Sequence, residues 1–231
     1  MSSKANTETG RSVYRLRAAR QADLPGLYAV CLKTGDSGKD GTSLHDDPTL
    51  IGKYYVGPYV ILEPDLAFSL EGPSGLAGYL LGTLDTPAFN TRCETEWLKP
   101  MRSGLRNPGG DPAAWHDSDW VRRFIHVPDF VYPPALHAFP AHAHIDLLPE
   151  ARGHGFGRRM MHFLMARMAA RGAKGLHLSV APSNAGGQAF YHKLGFHHVG
   201  APDLPRHTTF MARSLADIEP NDSLAGMVLH G

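Results

Sequence analysis

From Arg152 to Arg159 the chain reads Arg-Gly-His-Gly-Phe-Gly-Arg-Arg, with glycines at alternate positions and arginines on both sides. Glycine lets a main chain come close to a ligand. The first N–H groups of a helix are unpaired and carry the positive end of its dipole. The chemistry such a stretch suits is the holding of a pyrophosphate. Two other phosphate loops do not fit: the spacing is G-x-G-x-G rather than G-x-G-x-x-G with an acid about twenty residues on, and no Gly-Lys-Ser/Thr follows. Just upstream, His142, His144 and Asp146 recur at every second position, so a strand places them on one face and Ala143, Ile145 and Leu147 on the other. Polar side chains on a central strand must meet partners or a cleft. His144 titrates near neutrality, and Asp146 would do so if burial raised its pKa, so either could take a proton from an ammonium. A hydrogen-bonded structural pair is the other reading of the same residues. A metal site would need ligands from a further direction, so none is expected.

The elements that position these residues can be read around them. Ala143–Leu148 reads as a buried strand, and the glycine loop opens into an amphipathic helix. Phe156, Met160, Met161, Leu164, Met165 and Met168 form its apolar face, and Gly172 ends it. A second strand spans 175–180, followed by Asn184 and a helix over 188–196. Gly186-Gly187 in the turn between them predicts a late helix start, because glycine costs about 1 kcal/mol of helix propensity against alanine. Towards the N-terminus a strand covers 13–18, and Asp23 caps a helix running to Lys33 with Pro25 in its first turn. A polar stretch over 35–47 carries Asp36, Asp40, Asp46 and Asp47 against one lysine, Lys39. A helix near 49–55 follows, then a hairpin of strands 66–70 and 76–84, and the chain ends with strands over 197–199 and 208–212. The stretch 86–141 is long for a connection and holds Trp97, Trp115 and Trp120. It predicts a helix around 92–105 and an ordered loop over a substrate cleft, with a packing or dimer-forming embellishment as the alternative.

Composition sets the limits. A chain of 231 residues, 42% hydrophobic and 19% charged, suits one globular domain. A formal charge of +1 gives no electrostatic footprint for nucleic acid. No apolar run approaches a membrane span, and Met1–Arg11 is polar, lacks the apolar core of a signal peptide, and is expected to be disordered. Cys31 and Cys93 lack metal spacing and are expected as free thiols of a reducing compartment, the cytoplasm.

Arg152 to Gly157 after a strand, then Asn184 followed by Phe190-Tyr191-His192-Lys193-Leu194-Gly195-Phe196, resembles the motif pair of the GNAT superfamily of N-acetyltransferases. A finer resemblance spans about residues 12 to 213. It rests on Asp47-Pro48, Tyr54 to Tyr59, Gly78 to Asp85, Phe89, Trp97 and His144 to Asp146, and is to bacterial proteins akin to the acetyltransferase-like C-terminal domain of O-GlcNAcase. The resemblance implies an α/β (α+β) fold: a mixed twisted sheet of about seven strands flanked by helices and splayed between the fourth and fifth. It implies one domain over 12–231 with an insertion at about 86–141, acetyl-CoA as cosubstrate, and direct transfer of acetyl to a primary amine. The main chain of Leu147 would hold the thioester oxygen and Leu148 would pair with the pantetheine. Arg152, Gly153, His154, Gly155, Phe156, Gly157 and Arg158 would wrap the pyrophosphate, and Asn184 would bond the pantetheine. Phe190 and Tyr191 complete the cofactor-contacting set. Tyr191 stands where the family's general acid sits, and a phenol of pKa about 10 suits a thiolate leaving group. His144 or Asp146 would be the base, and Asp85 lies on the acceptor side. The aspartates of 36–47 would border the acceptor and favour a cation. The alternative reading is an acyl-CoA-binding domain without productive acceptor chemistry.

Overall fold

In the computed structural model, residues 12–202, 204–205, 207–223 and 227–230 are described, so the expectation of disorder for Met1–Arg11 lies outside the described residues. In chain order the elements are β1 (Val13–Ala18), α1 (Leu24–Thr34), α2 (Leu50–Tyr55), α3 (Gly57–Leu62), β2 (Ala67–Gly72), β3 (Gly75–Thr83), α4 (Thr86–Arg92), α5 (Lys99–Met101), α6 (Asp117–His126), β4 (Ala141–Leu147), α7 (Phe156–Ala170), β5 (Gly175–Val180), α8 (Ala185–Lys193), β6 (His197–His198), β7 (Thr209–Ser214) and β8 (Met227–His230).

One sheet holds all eight strands in the order β6-β7-β5-β4-β3-β2-β1-β8. Every pairing is antiparallel except β4 with β5. The strand beyond the expected seven is β8, which lies against β1 from Val13↔His230 to Leu16↔Met227. Each face of the sheet buries its own apolar set. On one face α7 presents Phe156, Met160, Met161, Leu164, Met165 and Met168, all fully buried, to Leu16, Phe68, Leu80 and Leu178. On the other, Leu27 and Cys31 of α1, Ile51 of α2 and Tyr59 of α3 pack on Tyr79 and Leu81.

The stretch 86–141 belongs to this second core, through Phe89, Cys93, Leu98, Val121 and Ile125. Its helix starts at Thr86 rather than near Arg92, because the Asp85 carboxylate accepts from the Ala88 N–H at 2.9 Å and caps it. A wide turn over Cys93–Leu98 carries it into α5. α6 stands where a loop was expected, burying Val121 and Ile125 one turn apart. Asp23 also differs from expectation. Its carboxylate accepts from Arg17 at 2.6 Å and from the Arg20 N–H at 2.8 Å, and makes no side-chain cap to α1. Gly78 fixes the end of β4, since a Cβ there would lie 2.7 Å from the Asp146 carbonyl oxygen.

Candidate active site

β4 pairs with β3 along its length, from Gly78↔Leu147 to Thr83↔His142, but with β5 only at Ala141↔Leu176 and His142↔His177. Beyond His142 the two parallel strands part. This is the splay expected between the fourth and fifth strands. The Leu148 N–H donates to the Ala77 carbonyl at 2.8 Å, so the even positions of β4 turn their main chain to β3 and the odd ones to the gap. Ile145 and Leu147 therefore offer main-chain groups inside the fork. Leu148 does not: its N–H is held by Ala77, and its carbonyl accepts from Ala151 at 2.9 Å. Its N–H is thus committed to β3 and cannot serve the expected pairing with a pantetheine arm.

From β4 the chain passes through one tight turn, Pro149–Ala151, into the glycine loop. Gly153 (φ 81°) and Gly155 (φ 73°) adopt the left-handed conformation, which only glycine enters freely. The first N–H of α7 to reach a helical carbonyl is that of Arg159, on Gly155 at 3.2 Å. Among the described residues, the N–H groups from Gly153 to Arg158 have no acceptor. A run of unpaired N–H groups with glycines of positive φ is an anion-binding concavity at a helix start. Added Cβ atoms at Gly153 and Gly155 would meet nothing within 4 Å, so this concavity is open.

The neighbouring side chains divide between ligand-facing and structural roles. Arg158 is exposed, whereas Phe156 is fully buried against Tyr14, with His154 stacked on its ring at 5.3 Å. Arg152 departs from its expected part in a main-chain cradle. Its N–H donates to Pro149 at 3.1 Å, and its guanidinium bridges the Leu147 carbonyl (2.7 Å) and the Gly38 carbonyl (2.8 Å). It clamps the loop after α1 to the end of β4. A Cβ on Gly157 would lie 3.3 Å from Phe190 and 3.6 Å from Leu147, so the start of α7, α8 and the tip of β4 converge there.

α8 begins at Ala185, immediately after Asn184, rather than late. The Asn184 Oδ1 accepts from the Gly187 N–H at 2.8 Å, and that cap offsets the cost of the two glycines. The Asn184 amide nitrogen stays available to a ligand. Tyr191 is half-buried between Phe190 and Phe196. Burial, reinforced by the Asp146 carboxylate, pushes its phenol well above the ordinary value and keeps it protonated. On the same face of β4, burial raises Asp146 to about 6, opposed by the Tyr79 hydroxyl, which donates to it at 2.5 Å, and by the charge of Arg152. His144 departs from the expected titration near neutrality: burial lowers it to about 4, helped by His177, which makes the ring a weaker base, and its Nε2 lies 3.0 Å from the Tyr59 hydroxyl. At neutral pH Asp146 is an anion and His144 is uncharged.

A cavity of about 270 Å³ opens where β4 and β5 part. His142, His144 and His177 line it from the sheet, and Tyr54, Phe124 and Asp129 line it from α2, α6 and the segment after α6. Phe124 and Asp129 had no local signal, and Tyr54 only its place in the stretch 54–59, because all three reach the site through the packing of α2 and α6. The acidic stretch 36–47 contributes differently from expectation. Asp40 accepts from Thr42, Asp46 pairs with Arg122 at 2.6 Å, and Asp47 accepts from the Thr49 N–H at 2.8 Å. These three aspartates are occupied in loop structure. Among the described residues no group of three or more His, Cys, Asp or Glu is arranged to hold a metal ion, and no helix is long and apolar enough to cross a membrane.

Comparison with known proteins agrees with this geometry. The acetyltransferase (GNAT) family model matches residues 125–196. Protein O-GlcNAcase of Rattus norvegicus is 28% identical over 205 residues, which is 88% of this chain and 22% of the relative. The chain thus spans about a fifth of the length of the curated relatives it matches. The crystal structure of SsHAT is 34% identical with a TM-score of 0.80, covering 88% of this chain and 99% of that one. PaiA N-acetyltransferase from Thermoplasma acidophilum, solved in complex with coenzyme A, shares the fold at 14% identity and a TM-score of 0.50, covering 87% of this chain and 98% of its own.

Proposed function

Because this chain belongs to the GNAT acetyltransferase family, we propose that it binds acetyl-CoA in the fork between β4 and β5 and transfers the acetyl group to a primary amine. The observation that carries the reading is the continuity of the site. The main-chain N–H groups of Ile145 and Leu147, turned to the gap, lead directly into the free N–H groups of 153–158. Acetyl-CoA supplies an activated thioester and an anionic pyrophosphate.

Transfer needs an uncharged amine held in line, a polarised carbonyl and a proton for the leaving thiolate. The loop amides hold the pyrophosphate. The Leu147 N–H faces the gap and polarises the thioester oxygen, while Asn184 steadies the arm through its free amide nitrogen. The acceptor enters the cavity beside His144, whose ring takes a proton from the ammonium. Asp146 supplies the negative charge that favours an ammonium near the fork. The amine lone pair then forms the C–N bond, the C–S bond breaks, and Tyr191 gives its proton to the thiolate. The two buried free cysteines, Cys31 and Cys93, suit a reducing compartment, so the cytoplasm is the proposed location.

The pH profile tests these assignments. Protonation of Asp146 removes its charge, so kcat/KM for the amine should fall as pH drops through about 6. Asp146→Asn should lower kcat/KM at neutral pH and abolish that limb. A limb that survives the substitution would remove Asp146 from the acceptor site. A second reading is an acyl-CoA-binding domain without efficient transfer. The observation that favours it is that Asp146 with Tyr79, and His144 with Tyr59, already satisfy one another as structural pairs do.

A further inference from the structure

We propose that Thr86, His142 and Tyr59 form a one-way hydrogen-bond relay that fixes the proton of His144 on Nε2. They are then positioning residues for a bare Nδ1 open to the acceptor cavity. The inference deepens the reading of His144 as the base, and its catalytic consequence rests on that reading.

The relay is anchored on main chain. Thr86, the first residue of α4, has its Oγ1 2.7 Å from the Pro140 carbonyl, which can only accept. The single hydroxyl proton is spent there. The Thr86 oxygen therefore offers only lone pairs to His142 Nδ1, 2.7 Å away, and that nitrogen must carry a hydrogen. His142 is buried, and desolvation beside His144 and His177 pushes it well below its usual pKa, so the ring is neutral and its Nε2 is bare. The Tyr59 hydroxyl, 2.5 Å from that nitrogen, must donate to it. Burial also keeps the Tyr59 phenol protonated. With its one hydrogen committed, Tyr59 can only accept, and its remaining neighbour is His144 Nε2 at 3.0 Å. The neutral His144 ring is left with its hydrogen on Nε2 and a lone pair on Nδ1.

That lone pair is not sealed off. Nδ1 of His144 has no protein partner among the described residues, and no side-chain nitrogen or oxygen there is both buried and unpartnered. His144 lines the cavity at the fork, and its Nδ1, neither bonded nor sealed, is the ring nitrogen left for a ligand. The consequence is directional. An ammonium N–H bond breaks as the Nδ1–H bond forms, and the resulting imidazolium keeps its Nε2–H on Tyr59, so the relay survives the transfer. The opposite tautomer would set a donor against a donor. Three separate elements, α3, α4 and β4, converge to prevent it.

The test reads tautomers and rates together. Histidine side-chain 15N NMR on the ligand-free protein, assigned with His142→Asn and His144→Asn, should show hydrogen on Nδ1 of His142 and on Nε2 of His144. Thr86→Val keeps the volume but removes the anchor. It should mix the His144 tautomers and lower kcat by about tenfold or more, with both KM values within about twofold. Thr86→Ser should restore both readouts. Hydrogen on Nδ1 of His144 in the unaltered protein would overturn the relay, and that measurement needs no variant at Thr86 to fold. Unchanged tautomers and kcat in Thr86→Val would overturn it equally. Tautomers as stated, in a protein that acetylates no amine, would support the relay and sink the acetyl-transfer reading instead.

Discussion

Replacing Gly155 by aspartate is expected to weaken coenzyme A binding by about 100-fold or more and to remove the thermal stabilisation the ligand gives. Two effects combine. Gly155 sits at φ 73°, where an L-residue is strained by roughly 1–2 kcal/mol. Its added side chain would project into open space beside the free N–H groups of 153–158, placing a carboxylate where a pyrophosphate must approach. Gly155→Ala separates the effects, because it carries the strain without the charge and should lose about tenfold or less. Calorimetric titration of the folded variants with coenzyme A checks both. Equal affinity in Gly155→Asp and the unaltered protein would place the ligand elsewhere.

The second large effect is expected in the chemical step. Tyr191→Phe should lower kcat by about 100-fold or more and leave coenzyme A affinity within a few-fold, since general acids contribute about 10²–10⁴. The phenyl ring keeps its packing on Phe190 and Phe196, so only the hydroxyl is lost. The raised phenol pKa leaves a proton on Tyr191 at neutral pH. A thiolate that departs without that proton is the rate limit the variant would expose. Steady-state rates on any amine that turns over decide it, and an unchanged kcat would make Tyr191 a packing residue.

Local signals made the glycine loop, α7 and the polar face of β4 legible and left the cavity between β4 and β5 obscure. Glycine spacing, the apolar stripe of α7 and the period-two run His142, His144, Asp146 are each encoded within about a dozen residues, and the structure places each on its expected face. The features that differ depend on partners far along the chain. β8 is four residues long and forms only because β1 offers an edge more than 200 residues away. Leu148 loses its N–H to Ala77, which no reading of 141–158 alone contains. Asp46, expected at the acceptor edge, is instead held by Arg122 of α6, 76 residues on. Thr86 carried no motif and Tyr59 only a place in the stretch 54–59, and their importance arises from two hydrogen bonds to one histidine. Capping explains the remaining shifts, at Asp85 and Asn184, where one side chain outweighs the propensities that follow it.

Acyl transfer is read most directly from amine-dependent release of coenzyme A thiol from acetyl-CoA. It should be followed together with the mass of the amine product across a panel of primary amines. At least one amine should gain an acetyl group in equal amount to the thiol released, and Tyr191→Phe should suppress both. Binding of acetyl-CoA with no thiol released above the amine-free rate, across the whole panel, would contradict acyl transfer and leave a cofactor-binding domain without the chemistry.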